Sequence, residues 1–112
     1  MAYEDKRRFP RITLKTSLGY QVRGKPNIIN AVCDNLSCGG ASFTNNDFIA
    51  PNTILALEIN VPQRVIRPFG RIAWVNSLPH SNRYRMGIEF VEWDTLEKDF
   101  LSEFINMHTN KL

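Results

Sequence analysis

The chain has 112 residues, 43% of them hydrophobic, with two cysteines and a net charge of +3, which is enough for one compact domain and too little for two. No apolar run approaches a bilayer-spanning length and no signal segment follows the charged start, while Cys33 and Cys38 suit neither a disulfide framework nor a zinc spacing. These features point to a soluble, cytoplasmic protein with reduced thiols, whose basic character is a local patch: residues 1–25 carry +5 and the remainder −2.

Residues 1–11 read as a flexible arm. Arg7 and Arg11 flank Pro10, which excludes the helical region for the residue before it and fixes its own φ, so the segment is extended or looped. An extended run of guanidinium groups suits a compact anion, because each planar fork grips a phosphate or the O6/N7 edge of a guanine with two parallel hydrogen bonds. On charge alone a solvated basic tail is the better account of the cluster, and it is the second motif that favours binding.

Residues 12–92 are punctuated by Gly, Pro and Asn every eight to twelve residues, with short runs rich in Val, Ile, Phe, Thr and Trp between them. That is the pattern of an all-β sandwich or barrel. It predicts strands over 11–18, 20–23, 28–34, 40–44, 54–61, 65–76 and 84–92. In the fifth, Leu55, Leu57, Ile59 and Val61 share one face and Glu58 and Asn60 the other, as a strand with one face in a core requires. Trp74, between Ile72 and Val75, reads as core or barrel-rim packing. The period changes over 94–108, where Asp94 and Glu97 form a capping box and Leu96, Phe100, Leu101, Phe104 and Ile105 recur at helical spacing. This amphipathic helix is expected to pack on the barrel or cover one open end.

The second informative stretch is Asn35-Leu36-Ser37-Cys38-Gly39-Gly40. Asn35 and Ser37 alternate along a strand end and so point the same way, presenting an amide and a hydroxyl to a guanine edge or a phosphate. Asn-x-Ser is also an ordinary Asx or Ser turn, and Gly39 and Gly40 permit positive φ, a bulge or close backbone approach to a ligand. No triad or metal-ligand spacing occurs, so catalysis and metal binding are not expected.

Together these residues carry a resemblance. RxxxR at Arg7 and Arg11 followed by (D/N)xSxxG at Asn35, Ser37 and Gly40 resembles the signature of the PilZ family, receptors for the bacterial second messenger cyclic di-GMP. The likeness continues through Gly70-Arg71-Ile72-Ala73-Trp74-Val75 and Arg85-Met86-Gly87-Ile88-Glu89-Phe90. It implies an all-β, six- to seven-stranded antiparallel (split) β-barrel with a C-terminal amphipathic α-helix, in one PilZ-like domain spanning the chain. It further implies cyclic di-GMP as ligand, with no other cofactor, held by Arg7, Arg11, Asn35, Ser37 and Gly40 and secondarily by Lys6, Arg8 and Gly39. Lys6 stands where many members have a third arginine, and lysine lacks the planar fork. The resemblance also implies relay of the signal to a downstream protein partner, in motility, biofilm or exopolysaccharide control. A ligand-independent interaction adapter and a small nucleic-acid-binding barrel are the alternatives. Retention of the motif residues weighs against the first, and confinement of the basic residues to the arm against the second.

Overall fold

The computed structural model describes residues 10–109. Seven strands and one helix follow in order: β1 Arg11–Val22, β2 Ile29–Ser37, β3 Gly40–Asn45, β4 Ile54–Val61, β5 Arg64–Ile66, β6 Phe69–Ser77, β7 Tyr84–Glu92 and α1 Thr95–Thr109. All pairings are antiparallel, in the order β1-β2-β3-β7-β6-β4. The sheet closes on itself because Leu18–Val22 of β1 also pairs with Ile59–Leu55 of β4. The result is a six-stranded antiparallel barrel, with β5 added along the end of β4.

Two sequence expectations for the strands change. The break expected at Gly19 is absent: β1 runs through it, and Gly19 pairs with Asn30 on one side and Glu58 on the other. Conversely, the single run over 65–76 is two strands. Arg67 and Pro68 part β5 from β6, since proline has no N–H for a ladder. β4 keeps the expected alternation, with Leu55, Leu57, Ile59 and Val61 all buried.

Leu18, Tyr20, Phe43, Leu55, Ile59, Ile66, Ile72 and Met86 fill the interior. α1 contributes Leu101, Phe104 and Ile105 to the same core and packs against β1 and β2. The arginine of β5 lies over the helix, with the Arg64 guanidinium 5.8 Å from the Phe100 ring centre. Leu96, expected on the greasy face, is exposed instead. Asp94 caps the helix by accepting from the Leu96 and Glu97 amides at 3.1 and 3.3 Å. The capping box is only half made, because the Glu97 carboxylate accepts from the Arg67 amide at 2.8 Å, tying the helix to the β5–β6 link.

Among the described residues a polar pair is buried in the barrel interior. Asn45 donates to the Tyr20 hydroxyl at 2.7 Å and to the Asp47 carbonyl at 2.9 Å, and the Tyr20 ring lies 5.7 Å from that of Phe43. A buried donor left without its acceptor costs about 1–3 kcal/mol. Tyr20→Phe is therefore expected to destabilise the fold by about 1–2 kcal/mol at unchanged volume, read as a lower urea midpoint with the same m-value.

Candidate functional site

The second motif forms a hairpin. Asn35 and Ser37 occupy the end of β2, Cys38 and Gly39 make the connection, and Gly40 opens β3. The Ser37 hydroxyl closes this turn by accepting from the Gly39 amide at 3.1 Å and donating to the Gly40 carbonyl at 3.3 Å, so the Ser-turn reading is realised. Gly40 has a steric reason to be glycine: a Cβ there would lie 2.0 Å from the Ile88 carbonyl oxygen. The close approach is to the backbone of β7, and it involves no positive φ at Gly40.

Strand pairing brings the first motif to the second. Arg11, at the start of β1, lies opposite Ser37, and Thr13 opposite Asn35. The Arg11 side chain is exposed. Lys6, Arg7 and Arg8 lie outside the described residues.

A β-bulge shapes the face beside the motif. Between the pairs Cys33↔Phe43 and Asn35↔Ser42, β2 has one residue more than β3. Cys33 and Leu36, three apart, are consequently both buried, while Asp34 and Asn35 both turn to the outer face. A second bulge falls in β6, where Ile72 pairs with Ile88 and Trp74 with Gly87, so Ala73 is extra. Ile72 is buried and Val75 packs on the core, while Trp74 turns outward. Of the core or barrel-rim packing expected for Trp74 from those neighbours, the core placement gives way to a half-buried position on the outer wall. The indole lies across Gly87, where a Cβ would sit 2.2 Å from its Nε1.

Registers then align Thr13, Asn35, Ser42, Gly87 and Trp74 in one transverse row over β1, β2, β3, β7 and β6. Across this row runs a polar network that sequence reasoning missed. The Asp34 carboxylate accepts from Arg85 Nε and Nη2, both at 3.2 Å. Its Oδ1 also accepts from the Ser42 hydroxyl, and the Asn35 amide approaches the same oxygen at 3.5 Å. Arg85 Nη2 donates to Ser42 Oγ at 3.1 Å, and the guanidinium lies 5.8 Å from the Trp74 ring centre. Asp34 and Arg85 are 51 residues apart, and only the bulge shows that Asp34 shares a face with Asn35.

Burial pushes the Asp34 pKa up, but hydrogen bonds from Arg85 and Ser42 and the charge of Arg85 outweigh it and hold the carboxyl below its ordinary 3.8. Both cysteines are free. Burial and the neighbouring Asp34 charge push the Cys33 thiol up to about 12, and burial raises Cys38 as well, so neither is a poised nucleophile. Among the described residues no group of three His, Cys, Asp or Glu is placed to hold a metal ion, and no helix is long and apolar enough to cross a membrane.

A closed six-stranded barrel with an added strand and a C-terminal helix, carrying an arginine of RxxxR opposite a hairpin serine, defines a family. The PilZ domain family model matches residues 5–106, and the chain belongs to the PilZ family. The fold is similar to that of MotI/DgrA, the Bacillus subtilis inhibitor of motility, at TM-score 0.79 and 20% identity over 92% of this chain and 51% of that one. It is similar to the PilZ domain of Escherichia coli YcgR, solved with c-di-GMP, at TM-score 0.71 and 14% identity over 96% of this chain and 99% of that domain. The K. pneumonia MrkH–c-di-GMP complex matches at TM-score 0.73 and 13% identity, over 91% of this chain and 52% of that one. The chain thus spans about half the length of MotI/DgrA and MrkH. No curated protein matches it in sequence.

Because the folded-state pKa of Asp34 lies below its unfolded value, its contribution to stability is complete above 3.8 and is lost as pH falls through the lowered value. The stability difference between the wild type and Asp34→Asn is therefore expected to be constant near neutral pH and to shrink in the acid range, measured by urea denaturation at stepped pH.

Proposed function

We propose that the protein is a receptor for cyclic di-GMP. The observation that carries this reading is the register between β1 and β2, which sets Arg11 of the first motif opposite Ser37 of the second. In this reading the two half-sites share one patch on the barrel's outer wall. Arg7 stands four positions before Arg11, a span of at most about 14 Å when extended, so a second guanidinium is within reach of the same patch. Family membership and the c-di-GMP complexes of YcgR and MrkH support the reading.

In this reading Arg7 and Arg11 grip phosphates and guanine edges, Asn35 and Ser37 bond the base or phosphate from the barrel side, and Gly40 keeps the hairpin flush with β7. Lys6, Arg8 and Gly39 add charge and backbone contacts. Closure of the amino-terminal segment over the ligand creates a new surface, which a downstream protein reads. Binding of this kind involves no chemical step, and the protein is not an enzyme.

Isothermal titration with cyclic di-GMP, with GTP and cyclic di-AMP as controls, tests this. Saturable, guanine-selective binding in the micromolar range or tighter is expected, and two ligands per chain would indicate a stacked pair. The Arg7→Ala/Arg11→Ala double variant is expected to keep its thermal midpoint and lose at least roughly tenfold in affinity, since each charged hydrogen bond contributes about 1.5–3 kcal/mol. Absence of heat and of any thermal shift with the wild type would refute the receptor reading and leave the adapter.

A further inference from the structure

The Asp34–Ser42–Arg85–Trp74 network is more elaborate than a surface ion pair needs to be. Three side chains from three strands, Asp34, Ser42 and Trp74, converge on the guanidinium of Arg85 from a fourth, and both bulges contribute a member, Asp34 from β2 and Trp74 from β6. Asp34 and Ser42 engage Nε and Nη2 of Arg85. Nη1, with its two N–H groups, takes part in neither contact. The Arg85 side chain is 38% exposed and that of Asp34 23%, so the acid is the more enclosed partner and the arginine the more open one. The arrangement has the form of a positioned donor: a carboxylate and a hydroxyl holding Nε and Nη2, an aromatic ring beside the guanidinium, and Nη1 outside those contacts.

From this geometry, and resting on the receptor reading above, we infer that Arg85 reads a guanine base, its Nη1 donating to the O6/N7 edge of a base that packs beside Trp74, with Asp34 as its positioning residue. The location supports this, because Ser42 lies directly opposite Asn35 in register and Arg85 bonds Ser42. Arg85 therefore borders the same patch as the hairpin motif. The chemistry favours a base over a phosphate. A flat indole beside the cation offers a stacking surface, which a base uses and a tetrahedral phosphate does not, and O6 and N7 are both acceptors in guanine whereas adenine presents an amino donor in place of O6.

The deciding variant is Arg85→Lys, because a lysine restores the ion pair to Asp34 yet has a single nitrogen and no second one to give to a ligand. Arg85→Lys is expected to melt within a few degrees of the wild type while losing roughly tenfold or more in affinity for cyclic di-GMP, with its preference over cyclic di-AMP narrowed. The double variant Asp34→Asn/Arg85→Gln, in which two amides keep a hydrogen bond without charge, gives a second test should the lysine variant fold poorly, and the same loss is expected. If the wild type binds cyclic di-GMP and these variants bind within twofold of it, Arg85 is only a staple across the bulge and the inference is overturned while the receptor reading stands. Equal weakening toward both dinucleotides would assign Arg85 to a phosphate and also overturn it. No binding by the wild type would remove the receptor reading itself, and this inference with it.

Discussion

The fold depends on the pairing of Leu18–Val22 with Ile59–Leu55. Without that seam β1 and β4 would be the two long edges of an open sheet, each with a row of unpaired amides and carbonyls that would recruit other chains. With it, every long strand has two neighbours. The same seam commits β1 to a fixed path, because residues 18–20 bond β2 and β4 at once. Arg11, seven residues upstream of Leu18 on that strand, is therefore held opposite Ser37 by a scaffold that a ligand need not organise.

Around that scaffold, inside and outside obey different rules. The interior follows alternation, filled by Leu, Ile, Phe and Met from every long strand and sealed by Leu101, Phe104 and Ile105 of the helix. The outer wall between β1 and β6 follows register, which lines up Thr13, Asn35, Ser42, Gly87 and Trp74 although they come from distant stretches of sequence. Glycine at 87 is what lets the indole lie flat against the wall. The glycine at 40 does the corresponding service for the hairpin, allowing β3 to meet the β7 backbone.

Much of this was legible from residues alone. The strict alternation in β4, the turn residues between strands and the helical spacing after Asp94 each reflect a local rule, and local rules survive in sequence. The two motifs were legible as well, because their residues are close in sequence. What could not be read has a common cause. The bulges at Asp34 and Ala73 are defined only against a partner strand, so the outward turn of Trp74 and the shared face of Asp34 and Asn35 had no local signal. Arg85 meets Asp34 across 51 residues and looked like one more strand position. Gly19 misled in the other direction: the nearest atoms to a Cβ there are at 3.5 Å or beyond, an ordinary contact distance, so this glycine marks neither a turn nor a forced approach.

The bulges carry a consequence for how such a wall can vary. In a regular strand, gaining or losing one residue exchanges every later side chain between core and solvent. At Asp34 the phase against β3 is already matched, with Cys33 and Leu36 both inside, so against that strand the additional residue is an outward group that leaves the interior alternation in step. The same holds at Ala73, between Ile72 and Val75. Interior and wall are thereby separable in heredity: a lineage can enlarge or simplify the chemistry that its barrel shows to solvent by single-codon insertions and deletions, an edit that elsewhere in the sheet would turn the protein inside out.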